Sequence, residues 1–596
     1  MTTLAPPPVP WQLTGNHWLS LPCIHPTNGA IHAVGVLHRG ARAAVEFAGS
    51  PDFVNGDGPA LLTPTVRVNG QERQLAAEGI AWERALAWLP TFTCVTGDLM
   101  LRGTVFAPYG RDADIAGAVY AVSIENRGAT AVDVEIALAG VLGHRQQRVR
   151  TARPYDDAHR VTRADGEVVI LEGTALPGVV ALAIGADGES VAHVERPASA
   201  TPQFAIRCAR RVEPGARAEV AFYLAAGPER DGAEATVAVL RRRGWRDLLA
   251  ATRDALQSLE QTTGNDAVDR LIMPHLLFAY FYAVGRALDD AHYYLVRTRA
   301  PWHGRGVTVR DWEALMWTIP AVQLADPPLG RELLLRMCEV HGYAPGRGVH
   351  YMDGTLFEPG FLLEGLAAYP IAIDRYIRDT GDDQVVEEPA IADTLYLSND
   401  DLAARRDRQV PLYATDITVG GETATQPYTL HGNAAVAFAL DVLRRTLDEA
   451  AAKDVQDPDG VRAAIRRHLA VEKDGKATFA AATDLAGATT LRDDPLASAL
   501  WLPLFELVTR DESIYRRTVK GLGHTPHFLV EQCARLIGPE SQNVLQWLRA
   551  APLDSGKAAE VVDAAGQAIG NGGDASLSGL LAYSLWYSMH AFGARG

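Results

Sequence analysis

Three acidic positions in the second half of the chain stand where irregular, Gly-rich or aromatic loops run into helical patterns. Asp311 follows Arg310 and precedes Trp312. Glu422 follows Gly421 and stands ahead of Pro427-Tyr428-Thr429-Leu430-His431-Gly432-Asn433. Glu560 opens the run Glu560-Val561-Val562-Asp563. A carboxylate at a loop–helix junction can face a pocket while the helix holds it rigidly. Two such carboxylates across a cleft satisfy what acid/base hydrolysis of a glycosidic bond requires: one protonates the leaving oxygen, the other takes a proton from water.

Each position also has a plainer reading. An Asp at a helix start accepts backbone N–H bonds and complements the helix dipole. A lone Glu in a loop is commonly a solvated carboxylate, and Glu560 fits the exposed face of a helix. Against this, Arg310 and Asp311 follow the run Trp302-His303-Gly304-Arg305-Gly306, and guanidinium forks and aromatic faces are suited to sugar hydroxyls and ring faces. The loop holding Glu422 is long and joins two apolar helical stretches, and long loops in compact domains often carry function. Asp416 lies in the same loop and competes with Glu422 for an acid role. The 17 histidines include no HExxH pair; His524-Thr525-Pro526-His527 is the nearest approach and a weak one. No GxSxG or P-loop occurs, and Gly346-Arg347-Gly348 lacks both the third glycine and the preceding strand of a dinucleotide site. Neither a metal nor a cofactor is expected.

The elements that must position these residues fall into two kinds. At 596 residues the chain is too long for one core. Residues 1–230 read as antiparallel β-structure: 115–124 is an apolar run ending at Asn126-Arg127-Gly128, Val132–Leu138 alternates with period two, and 167–172, 179–184 and 218–225 are further short strands. Such spacing predicts a β-sandwich. Residues 231–262 are rich in Ala, Leu and Arg and read as a helical linker. From 263 to 596 the period is helical, in about a dozen segments of usual helix length. They include 268–288, 329–340, 362–378, 434–447, 496–508 and 577–592. The stretch Ala434–Leu440 is apolar all round and is expected to be buried on two sides. A double ring of helices, the (α/α)6 barrel, accommodates that number; a solenoid is disfavoured because no repeat of roughly 34 or 40 residues is visible.

Composition bounds the partners. Hydrophobic residues make up 47% and charged residues 21%, as in an ordinary globular protein. A formal charge of −16 argues against nucleic acid or an anionic membrane as a partner, whereas a small neutral carbohydrate is compatible with it. A homo-oligomer is allowed by the sequence. The five cysteines are scattered, with no CxxC pair, so no disulfide framework is implied. No signal-peptide pattern opens the chain and no apolar stretch of about 18 residues occurs, so a cytoplasmic location is expected.

Taken together, these residues resemble the glucoamylase-type glycoside hydrolases, inverting enzymes with an (α/α)6 barrel whose bacterial members carry an N-terminal β-sandwich and a helical linker. In that family an Arg-Asp pair near the second barrel helix binds the sugar undergoing cleavage; Arg310 and Asp311 match it, with Trp312 beside them. The family's general acid is a loop Glu upstream of an aromatic-Thr-x-His stretch, which Glu422 and Tyr428–His431 fit. Its general base is a Glu in a Ser/Ala-Glu-x-x-Asp motif, which Ala559-Glu560-Val561-Val562-Asp563 fits. The segment from Glu358-Pro359-Gly360 through Glu364-Gly365-Leu366 to Thr380-Gly381-Asp382 is similar to exo-α-mannosidases of the same barrel type, and implies Glu358 and Glu364 as further sugar-binding carboxylates beside His431. Two departures stand out. Gly421 replaces the aromatic residue that usually precedes the acid, and Val561 replaces the second acidic residue after the base. The resemblance implies an inverting, exo-acting hydrolase of an α-linked oligosaccharide or glycoside, with a reshaped subsite. A sugar phosphorylase of the related barrel, or a non-catalytic carbohydrate-binding protein, are the rival readings.

Overall fold

The computed structural model describes residues 9–73, 75, 79–154, 159–164, 167–173, 180–195, 201–264, 266–303, 306–491, 495–509, 511–522 and 574–592. Two compact units emerge. The first comprises the described residues of Met1–Glu260 and Tyr280–Val307, with Asp574 and Ala575. The second comprises Gln261–Ala279 and the described residues of Thr308–Ala565 and Ser576–Gly596.

The first unit is built on antiparallel sheets. Strand Gly117–Asn126 lies between Leu99–Phe106 and Arg217–Gly227 in an eight-stranded sheet. Strand Val132–Val141 lies between Thr63–Val68 and Gln203–Val212 in a five-stranded sheet. Leu19–Ile24, Ala33–His38 and Ala43–Ala48 belong to a third sheet, of six strands. Leu89–Thr96 shows why these segments pair: apart from its first two residues it buries alternate side chains, the period of a sheet with one covered face. A single apolar core draws on all three sheets, from Leu21 and Val36 through Ile136 and Ile206 to Leu171 and Phe222. This layering fits a β-sandwich.

The turn at Asn126-Arg127-Gly128 does not close a hairpin. It carries the chain from the eight-stranded sheet to the five-stranded one. Asn126 makes the crossing without unpaired polar atoms. Its buried Nδ2 donates to Thr130 O at 2.8 Å and Val212 O at 3.0 Å, and its Oδ1 accepts from Gly128 N at 2.9 Å.

Two helices follow the last long strand, Arg230–Arg243 and Trp245–Ser258, separated by Gly244 at φ 78°. The first lies directly on the eight-stranded sheet because glycines face it. A Cβ at Gly117 would fall 2.6 Å from Leu240 Cδ1, one at Gly185 2.8 Å from Val237 Cγ1, and one at Gly227 2.2 Å from Ala233 N. Ala233, Val237 and Leu240 are the helix's buried stripe, at the spacing of one helical face.

The second unit is mainly helical. Its central pair is Leu363–Thr380 against Leu430–Thr446. All of Ala434–Leu440 is buried, which is why this stretch has no polar face. Helix starts are fixed by side-chain caps: Asp326 accepts from Leu329 N ahead of Pro327, and Asp457 accepts from Gly460 N ahead of Pro458. The expected helix over 496–508 is not formed. Two short 3₁₀ turns, Pro495–Ala497 and Ala499–Trp501, give way to an irregular segment. Pro503 disfavours the α region for the residue before it and supplies no N–H, and Glu506 takes φ 55°, so the apolar periodicity there serves a packed loop. Among the described residues no helix is long and apolar enough to cross a membrane.

Candidate active site

Three helices of the second unit begin at one place. Arg310, Leu362 and Thr429 are their N-cap residues, so Trp312, Glu364 and His431 each occupy the second helical position. This shared position brings the three side chains together. His431 Nδ1 is hydrogen-bonded to Glu364 Oε1 at 3.2 Å, and both side chains are 2% exposed. The Trp312 ring stands edge-on to His431 at 5.2 Å. Trp501 and Phe505, from the irregular 495–509 segment, complete an aromatic wall. Their rings stack at 16° and lie 6.2 and 5.3 Å from His431.

Glycine permits the carboxylate–imidazole pair. A Cβ on Gly432 would sit 3.0 Å from Glu364 Oε1 and 2.6 Å from Thr429 Oγ1. The Thr429 hydroxyl is itself engaged, accepting from Gly432 N as the helix cap. Four polar atoms of this cluster are buried and lack a hydrogen-bond partner among the described residues: Glu364 Oε2, His431 Nε2, Trp312 Nε1 and Trp501 Nε1. An unmade buried hydrogen bond costs about 1–3 kcal/mol. Several orphans gathered around one carboxylate and one imidazole therefore describe a place where a polar ligand would be held.

The Glu422 loop is fastened beside this cluster. Leu363 N donates to Thr415 Oγ1 at 3.2 Å, and the amides of Asp416 and Ile417 both donate to Phe361 O at 2.9 and 3.1 Å. The loop then folds back on itself, Ile417 pairing with Thr423 around a turn whose Gly421 has φ 83°. That turn rests on Arg310: Val419 O accepts from Arg310 Nη1 at 3.3 Å, and a Cβ on Gly421 would fall 2.4 Å from Arg310 Nη2. The aromatic residue expected before the acid is thus replaced by the residue type that lets the guanidinium lie against the turn. Glu422 and Asp416 are exposed on this loop. Arg310 also pairs with Glu313 at 3.9 Å.

Asp311 makes its hydrogen bonds to residues outside the aromatic wall. Its Oδ2 accepts from Gly346 N at 2.7 Å and its Oδ1 from Tyr369 OH at 3.0 Å. Tyr369 belongs to the helix Leu363–Thr380 that carries Glu364, so Asp311 ties two of the three helices together near their starts. Burial pushes its carboxyl up to about 7 in spite of those two donors. His341 and His350 lie nearby, and burial lowers them to about 3 and about 4. Beyond Glu313 the helix widens into a π turn, with Ile319 N–H bonding to Ala314 O. Pro320 has no N–H to give, and the carbonyl of Leu315 accepts instead from Arg375 Nη2 at 2.6 Å.

The expected residues are therefore distributed as follows. Trp312, Glu364 and His431 converge, and the loop of Glu422 and Asp416 is strapped to Arg310 and to the start of the Glu364 helix. Glu358 ends the short strand Leu356–Glu358, which pairs with Val349–His350. Glu560 lies outside the described residues. Sequence reasoning missed Trp501, Phe505, Glu313 and Tyr369, because the first two sit in a segment read as helix and the others flank motifs without belonging to them. It also missed His341 and His350, whose spacing matches no standard metal motif.

No family model and no curated protein matches the sequence. Solved structures do resemble the chain. One is a bacterial glucoamylase complexed with acarbose, at TM-score 0.58 and 11% identity, covering 99% of this chain and 96% of that one. Another is a protein designated a kojibiose phosphorylase, from the human microbiome, at TM-score 0.57 and 9% identity, covering 96% of this chain and 86% of the other. Across nearly its whole length, this chain shares the fold of bacterial glucoamylase.

Proposed function

We propose that the chain is a glycoside-cleaving enzyme acting on an α-linked glucoside, by hydrolysis with inversion. The observation that carries this reading is the Glu364–His431 pair, with its orphaned polar atoms enclosed by Trp312, Trp501 and Phe505. A sugar ring presents hydroxyls to such atoms and C–H faces to such rings. The glucoamylase-like fold supports the same reading, with the helical unit as an (α/α)6 barrel spanning 263–596, a helical linker at 231–262 and the β-sandwich at 1–230.

Arg310, Trp312, Glu358, Glu364 and His431 hold the sugar. Asp311, expected to bind the sugar beside Arg310, is instead assigned a positioning role, because both its carboxylate oxygens accept from Gly346 N and Tyr369 OH. Glu422 protonates the leaving oxygen, with Asp416 the competitor in the same loop, and Glu560 accepts the proton of the attacking water. Inversion needs those two carboxyls roughly 6.5–9.5 Å apart, with room for that water. No cofactor enters the scheme.

The test is incubation of the full chain with maltose and with kojibiose, with and without inorganic phosphate. Free glucose in the absence of phosphate is the expected result. Glucose 1-phosphate formed only when phosphate is present would make the protein a phosphorylase. Acarbose binding without turnover of any α-glucoside or α-mannoside would make it a carbohydrate-binding protein.

A further inference from the structure

We propose that Asp311, His341 and His350 form a binding site for one divalent metal ion of the zinc class. The proposal is independent of the function proposed above. The three residues come from different elements of the second unit. Asp311 opens its helix, His341 ends the helix Pro327–His341, and His350 sits in the short strand Val349–His350, where its backbone pairs with Val309. Each offers one ligand atom; these atoms lie within 4.8 Å of one another, and all three side chains are buried. Zinc bonds to N and O of about 2.0–2.2 Å place tetrahedral donors roughly 3.4 Å apart, so side-chain rotations that move each donor by no more than about 1 Å close the site.

The donor chemistry fits. Two imidazoles and one carboxylate form a three-ligand set that suits zinc and leaves a fourth position for another ligand. The polar inventory points the same way. Nδ1 of His341 and Nδ1 of His350 are buried without a hydrogen-bond partner among the described residues. No hydrogen bond joins either imidazole to Asp311, so the trio does not satisfy itself. The Asp311 carboxylate is meanwhile oriented by Gly346 N and Tyr369 OH, the outer-layer bonding that ligating carboxylates usually have. An ion here would pin a helix end, a strand and the helix start that leads into Trp312.

Equilibrium dialysis of the full chain against buffered Zn2+, after stripping with a chelator, tests this, with bound metal read by elemental mass spectrometry. One zinc per chain is expected, with a rise in the thermal unfolding midpoint. The H341Q/H350Q double variant should take up none and show no rise. Y369F, which removes only the hydrogen bond to the ligating carboxylate, should weaken zinc binding about 10–100-fold. Absence of uptake by the wild type overturns the proposal. So does uptake that survives in the double variant. Should the double variant fail to fold by near-ultraviolet circular dichroism, Y369F decides: an affinity equal to that of wild type overturns the proposal.

Discussion

Gly432→Ala perturbs the site by a single methyl group. Its Cβ would meet Thr429 Oγ1 at 2.6 Å and Glu364 Oε1 at 3.0 Å, and neither neighbour is free to swing away. The hydroxyl is the helix cap and the carboxylate is buried against His431. Loss of the cap costs about 1 kcal/mol, and overpacking a filled interior a further ~1–3 kcal/mol. Replacing glycine by alanine within a helix returns about 1 kcal/mol. The net destabilisation is ~1–3 kcal/mol, which at ~2–4 °C per kcal/mol for a sizeable domain lowers Tm by several degrees without unfolding the protein. Activity should fall as well, in protein that remains folded. A displacement of about 1 Å in a positioned group costs on the order of 100-fold, so the few tenths of an ångström forced on Glu364 should reduce kcat/KM by ~3–10-fold. Differential scanning fluorimetry and initial rates on the best α-glucoside measure both effects. A Tm lowered as expected, with kcat/KM within about twofold of wild type, would refute the claim that the Glu364 position matters to function.

Glu560→Gln should abolish hydrolysis while leaving acarbose affinity nearly intact. Glu422→Gln should slow substrates with poor leaving groups far more than activated aryl glycosides, which need little protonation; if Asp416→Asn alone shows that pattern, the acid is Asp416. Gly117→Ala should destabilise the first unit by ~1–3 kcal/mol in urea unfolding, because its Cβ would press on Leu240 Cδ1 at 2.6 Å and Leu224 O at 2.8 Å. His17 supplies a pH dependence. Burial, then the nearby Arg299, lowers it from 6.5 to about 3, while its Nε2 is hydrogen-bonded to Tyr280 O. A depressed folded value means full stability above pH 6.5 and progressive loss as pH falls towards 3, approaching about 4 kcal/mol. The slope of unfolding free energy between those pH values should be shallower in H17Q; equal slopes would assign acid sensitivity to other groups.

The sheets and the main helices were legible because burial imposes a period on each. Val132–Val141 buries Val134, Ile136 and Leu138 at alternate positions and Ala434–Leu440 is covered all round, and the order of residues records both. The helix starts were legible too, since Arg310-Asp311-Trp312 and Thr429-Leu430-His431 pair a loop with an apolar run. What could not be read was which starts meet. That three second positions converge depends on packing between helices far apart in the chain, and Gly346, Gly421 and Gly432 make room for it without any local signal. The 496–508 segment misled for a physical reason: Trp501 and Phe505 are apolar because they wall the Glu364–His431 pair, and a helical period arose from a loop. Tyr280–Val307 groups with the β-rich unit although it follows a helical stretch, an arrangement that linear composition cannot express.

The most direct measurement is proton NMR of the anomer first released when the wild-type chain acts on a panel of α-glucosides and α-mannosides. Turnover without added phosphate is expected, with initial appearance of the β-anomer followed by slow mutarotation to the equilibrium mixture. Initial release of the α-anomer would contradict the inverting mechanism, and absence of turnover across the panel would contradict the assignment as a glycoside-cleaving enzyme.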